Sequence, residues 1–287
     1  MTACRRFRGR FSACLFAVLA VGLVDSAGST SAFAQELKYP VSIAVTADGT
    51  AYVADREFHG IWKLTNGKLE KHFEGSAKFR TPLNAVRCVA IDHQGKLLAG
   101  DSSTREVYRF DDAGAPVPLT KGQIGIPVAI AVRKSGEILV ADQELQRIWK
   151  VPAEGGDRVE LAAVEGIVGL CLDQDDQLWV TSRGKIPLRR IAPDGKVENI
   201  LSERVMQFPQ QIVLDESKNA YITDNYDKAV WKIPVGGAPV KLAAGDPLVN
   251  PVGLARAGDK LLVTDPHAKA IFQVEMDGKV TKVVPGS

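Results

Sequence analysis

The feature that most constrains this chain is a repeat of roughly 41 residues that runs from Pro40 to the end of the sequence. The first copy reads Pro40-Val-Ser-Ile-Ala-Val-Thr-Ala-Asp-Gly-Thr-Ala-Tyr-Val-Ala-Asp55 and continues to Ile61-Trp62-Lys63-Leu64, and five more copies follow. With Pro40 as position 0, position 15 is Asp55, Asp101, Asp142, Ser182 and Asp224, and Asp265 takes that place in the last copy after a one-residue deletion. Seven residues beyond that mark stand Trp62, Tyr108, Trp149, Arg189, Trp231 and Phe272, aromatic in every copy but the fourth. A unit of this length cannot bury both of its faces alone, so the copies must cover one another.

Each copy is punctuated by turn signals. The first is Asp48-Gly49, Gln94-Gly95, Ser135-Gly136, Asp175-Asp176, Lys218-Asn219 or Gly258-Asp259, and a later one is Asn66-Gly67, Ala113-Gly114, Gly155-Gly156, Asp194-Gly195, Gly236-Gly237 or Asp277-Gly278. A looser loop follows the position-15 Asp. The segments between are short and rich in Val, Ile, Leu and aromatics, without helical periodicity, and read as four strands per copy. The expected fold is all-β: a six-bladed β-propeller of four-stranded antiparallel blades, closed by packing of blade 6 on blade 1 without an exchanged strand.

The segments Ile43-Ala-Val, Tyr52-Val-Ala-Asp55 and His59-Gly-Ile-Trp62 resemble NHL repeats, and the resemblance covers residues 37 to 287. It implies the fold group shared by gluconolactonase-like propellers, TolB-like propellers and peptidyl-amidating lyases, so it specifies architecture more closely than activity.

Ahead of the repeats, Arg5, Arg6, Arg8 and Arg10 precede an apolar run from Phe11 to Val24 and a small-residue stretch ending Ala32-Phe33-Ala34. This is the pattern of a secretory signal peptide over residues 1–34, too short in its apolar run to span a bilayer, with a mature propeller over residues 35–287. Location is therefore expected to be secreted or periplasmic. Without the leader the chain carries 32 basic and 33 acidic side chains, a balance that argues against nucleic acid as a partner. Only Cys88 and Cys171 remain, on inner strands of non-adjacent blades, and two buried free thiols are expected. The mature chain is expected to be a monomer with no membrane span.

Innermost strands begin at the Pro position and the loops after position 15 emerge at the same end, so that face and the channel mouth are the expected working face. The recurrent Asp55, Asp101, Asp142, Asp224 and Asp265 are candidates for ligand binding, although an Asp ending a strand commonly accepts N–H groups of its own loop. Position 1 is a sharper test. Gluconolactonase-like propellers place a metal-binding Asn or Asp there, whereas this chain has Val41, Arg87, Val128, Val168, Gln210 and Val252. Oxygen-rich donor sets suit Ca²⁺ or Mg²⁺ and this ring lacks one, so no metal and no other cofactor is expected. The zinc-binding His set of the amidating lyases is also missing. His72 falls on an outer strand and His93 at the opposite end, which leaves His59 and His267, in neighbouring blades 1 and 6, as a pair able to face each other. Arg87 and Gln210 interrupt an otherwise apolar ring from opposite blades, and a guanidinium there suits an anionic or carbonyl group. Blade 4 is the most basic segment, with Arg183, Lys185, Arg189 and Arg190.

No Gly-x-Ser-x-Gly elbow, P-loop or His-Glu-x-x-His motif occurs. The first expectation is accordingly a binding propeller that holds a protein, peptide or small ligand on its loop face and channel mouth. The alternative is a hydrolase or lyase of gluconolactonase-like fold with an unorthodox site at that mouth, drawing on Arg87, Gln210, His59, His267 or the Asp set.

Overall fold

A computed structural model describes residues 36–284. The signal peptide expected over residues 1–34 lies outside the described residues. Twenty-four strands, numbered β1 to β24 in chain order, form six separate four-stranded antiparallel sheets, each made of consecutive strands. Blade 1 comprises β1 (Pro40–Val45), β2 (Ala51–Asp55), β3 (Gly60–Thr65) and β4 (Lys68–Glu74). The innermost strands of the next four blades are β5 (Val86–Ile91), β9 (Pro127–Val132), β13 (Ile167–Leu172) and β17 (Pro209–Leu214). Blade 6 contains β21 (Leu254–Ala257), β22 (Lys260–Asp265), β23 (Ala270–Val274) and β24 (Val280–Val284), all from its own repeat. Among the described residues no helix is long and apolar enough to cross a membrane.

The core is divided among six apolar clusters, one at each blade interface. A propeller strand is covered on both faces, which explains runs of consecutive apolar residues in place of strand alternation. In β10 (Ile138–Asp142), Ile138 and Val140 pack toward blade 2 while Leu139 and Ala141 pack toward blade 4. The ring closes in the same way: Ile43, Val53 and Trp62 of blade 1 share a cluster with Leu262, Ile271 and Val284 of blade 6.

Turn chemistry follows the sequence. Gly49 takes φ +85° in the first turn of blade 1, and Asp176 of blade 4 and Lys218 of blade 5 hold φ +61° and +63° at the place glycine occupies in the other blades. The expectation of two buried thiols needs one correction: both cysteines line the channel cavity, and Cys88 is buried there but Cys171 is only partly covered. Burial pushes the thiol of each up to about 12, so neither is a nucleophile at neutral pH.

Candidate functional site at the channel mouth

The position-15 aspartates are wholly buried and serve as loop anchors. Asp55 accepts N–H groups from Lys38, Tyr39, Glu57 and Phe58 at 2.7–3.2 Å and the indole Nε1 of Trp62 at 3.3 Å. Asp101 accepts from Ala85, Ser103 and Thr104; Asp224 from Gln207, Phe208, Tyr226 and Asp227; and Asp265 from Val249, Asn250 and Ala268. Burial alone would raise the Asp142 carboxyl, yet N–H donors from Gly125, Ile126 and Leu145 and the indole of Trp149 hold it below the usual carboxylate value. Each of these carboxylates joins the segment before an inner strand to the loop after the second strand, and none lines the mouth cavity.

Blade 4 keeps only the loop side of this joint: Ser182 Oγ accepts the Gly184 N–H at 3.3 Å and donates to the Ile186 carbonyl at 2.8 Å, while the segment before β13 is tied by the backbone bond from Arg183 N–H to the Gly166 carbonyl. Ser182 Oγ accepts a hydrogen bond from Arg189 at 3.1 Å, in the place where Asp55 and Asp142 accept from Trp62 and Trp149. The two substitutions that set blade 4 apart are therefore one exchange of an acceptor–donor pair.

The mouth is a cavity of about 240 Å³ built from three rings of residues. The position-1 ring is present in full, with Val41, Arg87, Val128, Val168, Gln210 and Val252 all lining it. In blades 1 to 4 the position-1 residue is the unpaired residue of a β-bulge, skipped between Pro40 and Ser42 and at the equivalent points of the next three blades. In blade 5 the irregularity spans Pro209 to Ile212 and frees both Gln210 and Gln211. Such a bulge re-aims a side chain out of the ladder, here to the axis.

The second ring is position 16, the residue after the anchor, which contributes Arg56, Gln143, Arg183, Asn225 and Pro266. Arg56, Gln143 and Arg183 are held by backbone bonds from their own N–H to the carbonyls of Tyr39, Ile126 and Gly166. The third ring precedes the inner strand and supplies Tyr39 and Asn250. The loops expected on the working face, residues 55–59, 142–146, 182–186 and 224–227, carry Arg56, Gln143, Arg183 and Asn225, but the sequence singled out none of these as mouth residues, and it missed Tyr39 and Asn250; counting one residue before the Pro position and one after the anchor finds them.

Three guanidinium groups and several amides thus line the mouth, with no carboxylate and no imidazole. Arg87 donates its Nε to Ser102 Oγ at 2.9 Å. Burial draws its pKa below the usual value, neighbouring Arg56 adds to this and Asp101 opposes it; arginine remains charged nonetheless. Arg183 donates to Gln210 Oε1 at 2.6 Å and lies 4.1 Å over the Phe208 ring, with its pKa also lowered by burial. Two buried polar atoms here, Arg183 Nε and Asn225 Oδ1, have no hydrogen-bond partner among the described residues. Arg87 and Gln210 share the cavity, but Gln210 is engaged by Arg183.

Gln211 forms the floor. Its Nε2 donates to the carbonyls of Val128 and Val168 at 3.0 and 2.9 Å, and it lines both the mouth and a second cavity of about 360 Å³ toward the far end of the channel. His93 lines that far cavity, with Nε2 3.0 Å from the Val132 carbonyl, and His72 lies on β4.

His59 and His267, which the sequence leaves able to face each other across the boundary of blades 1 and 6, do not pair in the structure. His59 sits at φ +57° and its Nδ1 lies 2.6 Å from the Asn84 carbonyl, toward blade 2, while His267 is exposed with its ring 6.3 Å from that of Tyr39. Among the described residues no three His, Cys, Asp or Glu side chains cluster to hold a metal. The divalent metal implied by a gluconolactonase-like fold does not fit this mouth, because three fixed positive charges and no anionic oxygen face the place where it would sit.

The fold and this mouth define a six-bladed propeller with a polar, cationic site on its axis. The model of the SMP-30/Gluconolactonase/LRE-like region matches residues 20–224, well over half of the sequence, and the chain belongs to that family. No curated protein matches it. Solved structures share the fold at low identity. A virginiamycin B lyase from Staphylococcus aureus is 18% identical, with 86% of each chain covered and a TM-score of 0.67. A gluconolactonase from Xanthomonas campestris is 15% identical, with 86% of this chain and 87% of that one covered and a TM-score of 0.70. A chain of a nidogen/laminin complex is 17% identical over 83% of this chain and 89% of that one, with a TM-score of 0.66.

Proposed function

We propose that this propeller is a hydrolase or lyase acting at the channel mouth on a small carbonyl-containing substrate, such as a lactone or ester. The observation that carries this reading is Arg87, which a bulge turns onto the axis with its Nε held by Ser102 and its terminal N–H groups bonded to no described residue. Ring opening and elimination both build negative charge on an oxygen, and a fixed guanidinium in a partly desolvated cavity stabilises that charge. Membership of the SMP-30/gluconolactonase family and the lyase and lactonase among its structural likenesses favour turnover over the simple capture expected first. Proton transfer falls in this reading to Glu57 and His59, which line an adjoining cavity that shares Tyr39 and Arg56 with the mouth.

The test is proton release by the purified protein from a panel of lactones and carboxylic esters. Turnover is expected, with kcat/KM lowered on the order of a hundredfold in Arg87→Gln and a pH profile altered in His59→Gln. The absence of an imidazole or carboxylate in the mouth itself favours a second reading, non-catalytic capture of a protein, peptide or small ligand. Binding of panel members without turnover of any supports that reading and overturns the first. Export to the periplasm or beyond the cell belongs to the same proposal, and N-terminal sequencing of the exported protein is expected to begin at Gln35.

A further inference from the structure

The mouth has two unlike sides. On the side of blades 1 and 2 stand Arg56 and Arg87; Arg56 is exposed, and neither residue's terminal N–H groups bond a described residue. On the side of blades 5 and 6 three large side chains stand exposed, Phe208 at 39%, Tyr226 at 74% and Val249 at 40%. Phe208 packs under Arg183, Tyr226 follows Asn225 and Val249 precedes Asn250, all three of these neighbours being mouth residues. Elsewhere, exposed Val117, Val159, Val197 and Val240 each lie alone on the outermost strand of a different blade, Val235 lies in an outer turn, and Phe79 and Leu145 stand singly on rim loops, none of them next to a mouth residue in sequence. Among the exposed large apolar side chains of the described residues, Phe208, Tyr226 and Val249 are the ones set directly against or beside residues of the charged cavity.

We infer that the mouth takes an amphiphilic organic acid, its carboxylate held by Arg56 and Arg87 and its aromatic or branched acyl body laid across Phe208, Tyr226 and Val249. Charge complementarity selects the head group, since the cavity presents positive charge with no carboxylate to oppose it and guanidinium bonds to carboxylate are among the strongest neutral-pH contacts. Concavity selects a small molecule over a flat partner: Arg87 belongs to the innermost ring of a cavity of about 240 Å³, where a broad surface cannot reach it. Gln211 stands across the axis below the mouth, and in this inference the apolar body lies upward and outward, where the three exposed side chains stand. The inference rests on the mouth being the site, as proposed above, but not on catalysis there.

Calorimetric titration of the purified protein with three probes tests it: 4-phenylbutyrate, acetate and 4-phenylbutanol. 4-Phenylbutyrate is expected to bind at least about tenfold more tightly than either of the others. Arg87→Gln should abolish its advantage over the alcohol, and Arg56→Gln, at an exposed position that folding does not depend on, should weaken it several-fold. Tyr226→Ser should weaken 4-phenylbutyrate several-fold and leave acetate unchanged. Equal binding of acetate, equal binding of the alcohol, indifference to both Arg variants, or no binding of any probe overturns the inference. Binding as expected with no lactone or ester turnover leaves it standing and removes only the catalytic proposal.

Discussion

Asp55 gathers five donors from three separate stretches of chain, which makes one carboxylate responsible for the height of a rim loop, the start of β1 and the seat of Trp62. Removing it leaves several buried N–H groups without an acceptor, each costing about 1–3 kcal/mol. Asp55→Ala is expected to lower stability by about 3 kcal/mol or more in urea unfolding, with Asp142→Ala similar in direction. Because the Asp142 carboxyl is held below its usual value, its contribution is present at neutral pH and is lost as pH falls through the folded-state pKa. In blade 4 the loop after the second strand is tied to the third strand through Ser182 and Arg189, and a double-mutant cycle on Ser182→Ala and Arg189→Ala should return a coupling of about 0.5–1.5 kcal/mol. Additive single effects would mean that the blade 4 exchange is drift in two unrelated residues.

At the scale of the strand, what could be read from the sequence was whatever obeys the repeat. The position-15 anchors, the Gly and Asp turns and the four strands of each blade recur at fixed offsets, and the position-1 ring emerged from the same counting, Arg87 and Gln210 included. The bulges did not, because a bulge exists only as a mismatch between two paired strands; one residue more on β17 puts Gln211 across the axis, and nothing in Pro209-Gln-Gln-Ile marks it. The direction of the His59 ring was hidden for a similar reason, since a positive φ turns it toward blade 2. Another strand-level feature is measurable. His72 on β4 packs edge-on to Tyr52 with ring centroids 4.8 Å apart and lies 5.2 Å from Phe110 of blade 2, and its Nε2 is buried without a partner among the described residues. Burial, with a smaller push from Lys63, lowers its pKa below 6.5. Between the folded and unfolded pKa values the unfolded chain binds more protons, so stability should fall as pH drops through that window. His72→Phe should flatten the dependence of the melting temperature on pH below 6.5; an unchanged slope would show that this imidazole does not couple to folding.

The whole molecule is a ring whose last joint is made of packing alone. Val284 of β24 is buried in the cluster shared with Ile43, Val53 and Trp62, and β24 comes from blade 6's own repeat, so no strand is exchanged across the seam. A chain ending at Gly278 removes β24, uncovers that cluster and should lose its single cooperative thermal transition, as followed by far-UV circular dichroism. A truncated chain that melted like the parent would show that five blades and three strands suffice. The amide of Gln211 carries the matter inward. Stitched to carbonyls of two other blades, it stands between the mouth and the far cavity of the channel. A molecule held at the mouth that leaves this amide in place goes out as it came in, past the same arginines and the same aromatic lip, so product and substrate share a route and a product that lingers there is a competitor.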